Sequence, residues 1–366
     1  MTLVLPEYGR SALTDVLPSV ATHLGVPQSH DVLGIPASSR YVLLLVDGLG
    51  WTITSEARST GPLADLGTVT RLTAGVPSTT VTSVTSLGTG LTPGQHGIAG
   101  FSFRQPETSK VLNALLWHSQ PDPVAFQPHT TVLQRATAAG VGVTRVLPAK
   151  FEGSGLTQAG LRGGRFLGET EAHAGRIAAV RDAATSADRT LVYHYVRELD
   201  HTGHGKGVGS SAWRWRLNQV GRFIHDLRAS LPDDVVLLVT GDHGMIDAPG
   251  HHRLIAEDDP TLMAGVDLLA GEARFRHLYT RDVPGVADRW ATRLGDRAWV
   301  RTREQAVAEG WFGPLDPKVA NRFGDVVVAM RSDWAMLTTT FPKEHALIGM
   351  HGSLTEAEMV VPLFIA

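Results

Sequence analysis

At 366 residues, 43% of them hydrophobic, the chain is long enough to bury a large core as one domain or two. Its 33 Lys and Arg against 36 Asp and Glu give a net charge of -3, without the basic excess that a nucleic-acid backbone binder carries. It has no cysteine, which excludes disulfides, thiolate metal sites and cysteine nucleophiles, so any metal must sit on His, Asp, Glu or hydroxyl oxygen.

The first 25 residues, "MTLVLPEYGRSALTDVLPSVATHLG", lack a basic segment followed by a long apolar stretch and do not read as a secretory signal. No apolar run reaches the roughly 18–20 residues of a membrane span, so the expectation is a soluble, cytoplasmic protein without a membrane partner. "YVLLLVDG" (Tyr41–Gly48) is a short apolar run closed by Asp-Gly, the pattern of a buried parallel strand with a carboxylate at its end. "GVPSTTVTSVTSLGTGLTPGQHG" (Gly75–Gly97) is poor in charge and rich in hydroxyls and glycine. It predicts a helix over roughly residues 80–88. "TTVLQRATAAGVGVTRVLP" predicts helix, glycine turn and strand, and Glu169–Ala187 predicts another helix.

"TLVYHYVRELD" (Thr190–Asp200) repeats the strand-then-acid pattern, Ser210–Leu231 is an amphipathic helix opened by capping serines, and "DVVLLVTGDHG" (Asp234–Gly244) is the third strand that ends in acid. Val326–Met330 and Met359–Ala366 are further strands. The alternation of strands and helices predicts an α/β fold with a doubly wound, mostly parallel central sheet and helices on both faces. The whole chain, 1–366, is expected to form one catalytic domain. The irregular segments near 100–125 and 250–310 are expected to be insertions or a small cap.

Ligands of open α/β sheets bind outside the carboxyl ends of the strands, where Asp47, Asp200 and Asp242 would converge. Asp200 and His204 stand four residues apart among glycines, a spacing that a loop leaving the strand could fold around one ion. Asp242 and His243 are adjacent, and His351 lies between Gly349 and Gly352. Six nitrogen and oxygen ligands, Asp47, Asp200, His204, Asp242, His243 and His351, are too many for one tetrahedral zinc. They suit two ions that clamp both sides of a phosphoryl transfer, with Zn²⁺ first and Mn²⁺ or Fe as alternatives.

The motifs "LLLVDGLG", "PSTTVTSVTSLGTGLTPGQHGIAG", "LDHTGHGKG", "VTGDHGM" and "GMHGS…MVVPLF" resemble, in order, those of the nucleotide pyrophosphatase/phosphodiesterases of the alkaline phosphatase superfamily. The resemblance implies an alkaline phosphatase-like α/β core and two zinc ions. One would be held by Asp200, His204 and His351, the other by Asp47, Asp242, His243 and the nucleophile hydroxyl. It places the nucleophile at Thr80, nine residues before Thr89, with Thr79 and Ser78 as rivals one and two residues away. It implies hydrolysis of phosphodiesters or pyrophosphates through a phospho-threonine. The substrate would be a small-molecule phosphoester, a nucleotide being one case.

Two positions depart from the family pattern. Val81 stands where nucleotide-active members carry Phe, and Ser83 where they carry a phosphate-holding Asn. Ser83 and Tyr195, the latter at the place of a base-stacking Tyr, are the substrate-contact candidates. Lys150 and Arg104 could reach the site, although a surface or structural charge is the simpler reading of each. A phosphonoacetate hydrolase-like enzyme, a phosphomonoesterase of the same superfamily and a non-catalytic phosphoester-binding homologue remain alternatives.

Overall fold

The computed structural model describes residues 2–117, 121–169 and 172–366. Residues 118–120 of the segment near 100–125, and 170–171 of the helix expected from 169, lie outside the described residues.

A seven-stranded sheet runs through the molecule in the order Thr68–Thr73, Val360–Ile365, Val235–Thr240, Arg40–Val46, Thr190–Val196, Gly142–Pro148 and Arg165–Glu169. The strand Arg40–Val46 lies at its centre and pairs in parallel on both sides, Tyr41 opposite Leu191 and Val236. Its side chains alternate between two cores. Leu43 and Leu45 enter one, and Val42, Leu44 and Val46 enter the other. Burial on both faces explains why the run is continuously apolar. Val360–Ile365 is antiparallel to both its neighbours, with Phe364 opposite Val239 and Val69, so the sheet is mostly parallel.

Helices cover both faces. Thr80–Thr89 packs Val84 and Leu87 into the first core. Ser211–Ser230 packs Trp213, Leu217, Val220, Phe223, Ile224 and Leu227 into the second, and the Ser210 side chain accepts from the Trp213 N–H at its start. The helix expected over 169–187 is seen as His173–Ala184, preceded by the edge strand Arg165–Glu169. No helix among the described residues is long and apolar enough to cross a membrane.

The segment near 250–310 is regular rather than irregular. Leu268–Glu272, Phe275–Tyr279 and Ala298–Thr302 join Val326–Met330 in a second, four-stranded antiparallel sheet, covered by the helix Val283–Leu294. Arg274 and Arg276 hide the strand pattern in the sequence. Both are fully buried, which their ion pairs with Glu358 and Glu344 make tolerable. Near 100–125 the chain forms a hairpin, Ser102–Gln105 against Lys110–Asn113.

Candidate metal centre and its cleft

The carboxyl ends of the three central parallel strands carry the acids. Asp47 follows Val46 directly and its N–H donates to the Val196 carbonyl, 2.8 Å. Asp242 lies two residues past Thr240. Asp200 does not sit in a loop, as its glycines suggest, but in the helix Glu198–Lys206 that begins after the strand Thr190–Val196. One helical turn therefore places Asp200 and His204 on one face, with Asp200 Oδ2 3.3 Å from His204 Nε2. His351 arrives from the segment before the last strand, its Nε2 3.9 Å from Asp200 Oδ1.

Two acid–imidazole groups result. Asp200, His204 and His351 converge, as do Asp47, Asp200 and His243, so Asp200 belongs to both. His243 Nε2 lies 3.4 Å from Asp47 Oδ1 and 3.5 Å from Asp242 Oδ2. The His243 and His351 rings stack with centroids 3.7 Å apart.

These residues fit divalent cations on three counts. Each imidazole is oriented through its Nδ1, toward the carbonyls of Gly349 (His204, 2.8 Å), Gly244 (His243, 3.0 Å) and Ser78 (His351, 3.1 Å). That leaves every Nε2 free to ligate. Asp242 Oδ1 accepts the N–H groups of Gly48 and His243, 3.0 Å each, while Asp242 Oδ2 and Asp200 Oδ1 are buried without a hydrogen-bond partner. Buried, unpartnered carboxylate oxygens call for a cation. Finally, burial, then the charges of Asp200 and Asp242, hold the Asp47 carboxyl well above the usual carboxylate range. Burial, then His243 and His204, push the His351 imidazole well below its ordinary value. Acids crowded together favour a positive ion between them.

The hydroxyl run faces this cluster. Thr80 is the first residue of its helix, with extended Thr79 before it. Thr80 Oγ1 lies 3.2 Å from His243 Nε2 and 3.4 Å from Asp47 Oδ1. The rivals lack these contacts. Ser78 is fully buried and donates to the Ser353 carbonyl at 2.6 Å, and Thr79, buried at the edge of the same cleft, is not hydrogen-bonded to His243 or Asp47 as Thr80 is.

A cleft of about 710 Å³ opens over Asp47, Thr80, Asp200, His204 and His351. Tyr195 lines it, and its hydroxyl donates to Asp47 Oδ2, so this tyrosine orients a metal-site acid as well as forming a wall. Ser83 does not line it. It is 1% exposed, and its hydroxyl has no partner among the described residues. A residue three further along a helix is rotated by about 60° from the first, against about 40° for four, so Val84 rather than Ser83 follows Thr80. Lys150 lines the cleft, whereas Arg104 lies over the Tyr279 ring at 4.4 Å and bonds the Asn321 carbonyl.

Glu272, Asn113, Phe151, Leu115 and Leu116 also line the cleft, and no motif in the sequence marks them. Burial raises the Glu272 carboxyl well above its ordinary range, and Glu272 Oε2 lies 3.7 Å from His351 Nδ1.

Gly48 has φ +75°, and a Cβ there would lie 3.1 Å from the Cα and Cβ of Asp200. A left-handed backbone disfavours any side chain by about 1–2 kcal/mol before that crowding is counted. Gly48→Ala is therefore expected to lower stability by at least that amount and to weaken metal binding about 10-fold by pushing Asp200 outward. Calorimetric metal titration beside a denaturation midpoint checks both, and unchanged metal affinity would refute the packing argument.

Residues 41–354 match the family model described as type I phosphodiesterase / nucleotide pyrophosphatase. Among solved structures, the fold is similar to murine ectonucleotide pyrophosphatase/phosphodiesterase 5, with a TM-score of 0.71, 20% identity, and coverage of 88% of this chain and 87% of that one. An inactive variant of the murine protein in complex with AMP matches with the same TM-score and coverage at 18% identity. The human protein matches at 16% identity and a TM-score of 0.71, over 89% of this chain and 87% of that one. A stretch of 62 residues, 17% of this chain, is 40% identical to GPI ethanolamine phosphate transferase 3 of Schizosaccharomyces pombe and spans 6% of that protein's length.

Proposed function

The chain belongs to the type I phosphodiesterase / nucleotide pyrophosphatase family of metal-dependent hydrolases, and we propose that it cleaves small-molecule phosphodiesters or pyrophosphates through a phospho-threonine formed on Thr80. The observation that carries this reading is the place of Thr80 Oγ1, 3.2 Å from His243 Nε2 and 3.4 Å from Asp47 Oδ1 at the start of a helix. Asp200, His204 and His351 would hold one divalent ion, and Asp47, Asp242, His243 and Thr80 a second, two zincs being the first choice for mixed carboxylate and imidazole ligands. Such ions supply Lewis-acid charge that makes a threonine hydroxyl nucleophilic near neutral pH and offsets the charge of the phosphoryl oxygens.

The protein's own groups then do the following. Asp47 and His243 fix the Thr80 rotamer so that Oγ1 faces phosphorus. The free N–H groups of the first helical turn, at the positive end of the helix dipole, receive a non-bridging phosphoryl oxygen. Thr80 Oγ1 attacks phosphorus, the leaving alcohol or phosphate departs in line on the opposite side, and the threonine becomes phosphorylated. Water then attacks the phospho-threonine and restores the hydroxyl. Tyr195, through its bond to Asp47 Oδ2, keeps that carboxylate from turning away.

The AMP bound by the murine homologue supports a substrate of nucleotide size. A phosphomonoesterase reading also has an observation behind it. Lys150, Arg197 and Lys343 line the cleft and form no ion pair among the described residues, so a second anionic charge would find cations there.

The test is hydrolysis of bis(p-nitrophenyl) phosphate against p-nitrophenyl phosphate, with zinc present or removed by chelator. Zinc-dependent preference for the diester is expected, and preference for the monoester would select the second reading. Metal should also stabilise the fold by mass action, about 2.7 kcal/mol at a hundredfold excess over Kd, seen as a higher melting temperature in zinc than in chelator. An identical melting temperature in both would argue against a built metal site.

A further inference from the structure

A second pocket, of about 290 Å³, opens beside Thr80 and shares Thr80 and Tyr195 with the main cleft. Its walls are Val84, Leu147, Leu156 and Leu161 with the rings of Phe151 and Tyr193. Leu115 and Leu116 form its mouth and are 45% and 57% exposed. They are held there by Asn113, whose Oδ1 accepts the N–H groups of both at 3.1 and 2.9 Å. Two leucines held outward by a side-chain cap at the edge of an apolar pocket are a built lip, and apolar surface of this kind marks a binding site.

The pocket's hydroxyl groups are largely committed. The Ser154 and Thr157 hydroxyls bond each other at 2.9 Å, and Ser154 also caps its own helix. The Tyr195 hydroxyl is held by Asp47, and the Lys150 ammonium, 5.4 Å from the Phe151 ring centroid, is the one charged group at the pocket among the described residues and suits a phosphoryl oxygen. A nucleobase carries ring nitrogens and exocyclic groups that need partners, and each one buried without a partner costs about tenfold in affinity. Phe151 and Tyr195 are adjacent, 6.1 Å between centroids and tilted by 58°, so no flat ring can lie between parallel faces of the pair.

In-line displacement fixes which part of a substrate enters. The leaving group departs opposite Thr80 Oγ1, so a pocket walled by Thr80 and Val84 receives the substituent that stays on phosphorus. Resting on the hydrolase reading above, we propose that this pocket selects phosphodiesters whose retained substituent is an alkyl or aryl group rather than a nucleoside.

The test is a series of p-nitrophenyl phosphate diesters, methyl, butyl, benzyl and thymidine 5′, all releasing the same phenolate, with kcat/KM measured in zinc. Burial of methylenes is worth about three- to fourfold each, so the butyl ester should exceed the methyl ester by about tenfold or more, and both butyl and benzyl should exceed thymidine. In Leu116→Ser, whose side chain is solvent-exposed enough to spare the fold, the butyl-to-methyl ratio within that variant should fall about threefold or more. Equal methyl and butyl rates, or a thymidine ester turned over best, would overturn the proposal while leaving the hydrolase reading intact. Absence of zinc-dependent turnover of every ester would count against the hydrolase reading instead. Butylphosphonate and methylphosphonate binding by calorimetry then decides the pocket, where about tenfold tighter butylphosphonate supports it and equal affinities refute it.

Discussion

Thr80→Ala should lower zinc-dependent turnover of bis(p-nitrophenyl) phosphate by about 10³-fold or more, because it removes the group on which the covalent intermediate forms. Saturating zinc should still bind, since six of the seven proposed ligands remain. The residual rate measures what positioning and charge contribute without the nucleophile. The geometry makes the expectation specific to one hydroxyl. Ser78 is committed to the Ser353 carbonyl inside the core, and only Thr80 Oγ1 lies within 3.4 Å of both His243 Nε2 and Asp47 Oδ1. Trapping of a phosphorylated protein at low pH, present in the wild type and absent in the variant, is the direct measurement. Wild-type turnover in Thr80→Ala would move the nucleophile to a neighbour.

The largest stability effect is expected at Glu358, which lies between the two halves of the motif "GMHGS…MVVPLF" and carries no role legible in the sequence. Its carboxylate is fully buried and receives Arg274 Nε at 2.9 Å and Nη2 at 2.6 Å, the Ser353 N–H at 3.1 Å and the Thr355 hydroxyl. Its carbonyl accepts the Gly244 N–H at 2.8 Å. Glu358 thus ties the segment that carries His351 to the segment that carries Asp242 and His243. Glu358→Ala leaves the fully buried Arg274 without its partner, which costs about 3–5 kcal/mol. The denaturant midpoint should fall accordingly, and zinc affinity should fall with it because the segment that carries His351 loses the side-chain bonds to the Ser353 N–H and the Thr355 hydroxyl. Glu358→Gln keeps the shape and one acceptor oxygen and should be milder. A loss below about 1 kcal/mol in Glu358→Ala would show that Arg274 finds water instead.

The acids at strand ends were legible because buried parallel strands are written as apolar runs and their ends as a change of chemistry. Asp47 and the Asp242–His243 pair follow from that alone. The pairing of Asp200 with His204 was legible as a spacing but not as a helix, since glycines at 203 and 205 read as a loop. In the fold, the Asp200 side chain packs against Gly48, and the Glu198–Lys206 helix contacts the Ser211–Ser230 helix, which carries it past its poor intrinsic propensity. The second sheet was hidden for the opposite reason. Arg274 and Arg276 look like solvent-facing charges until their carboxylate partners, at 358 and 344, arrive from the far end of the chain. Ser83 failed as a cleft contact because a sequence offset does not carry the phase of a helix. The apolar pocket was invisible for a simpler reason. Its walls come from several elements, and leucine in any of them reads as core.

The metal-site residues are drawn from segments scattered between positions 47 and 351, so the site is a late product of folding. No local turn or hairpin can assemble even half of it, because each acid–imidazole group needs Asp200 beside residues more than a hundred positions away. Contacts of such long range slow folding, and they also mean that a partly unfolded chain offers a metal only isolated acids and imidazoles. A cation held at this site therefore acts as a clasp on the native state, closing five stretches of backbone at one point. Its loss should show as a shorter lifetime against proteases together with the lower melting temperature.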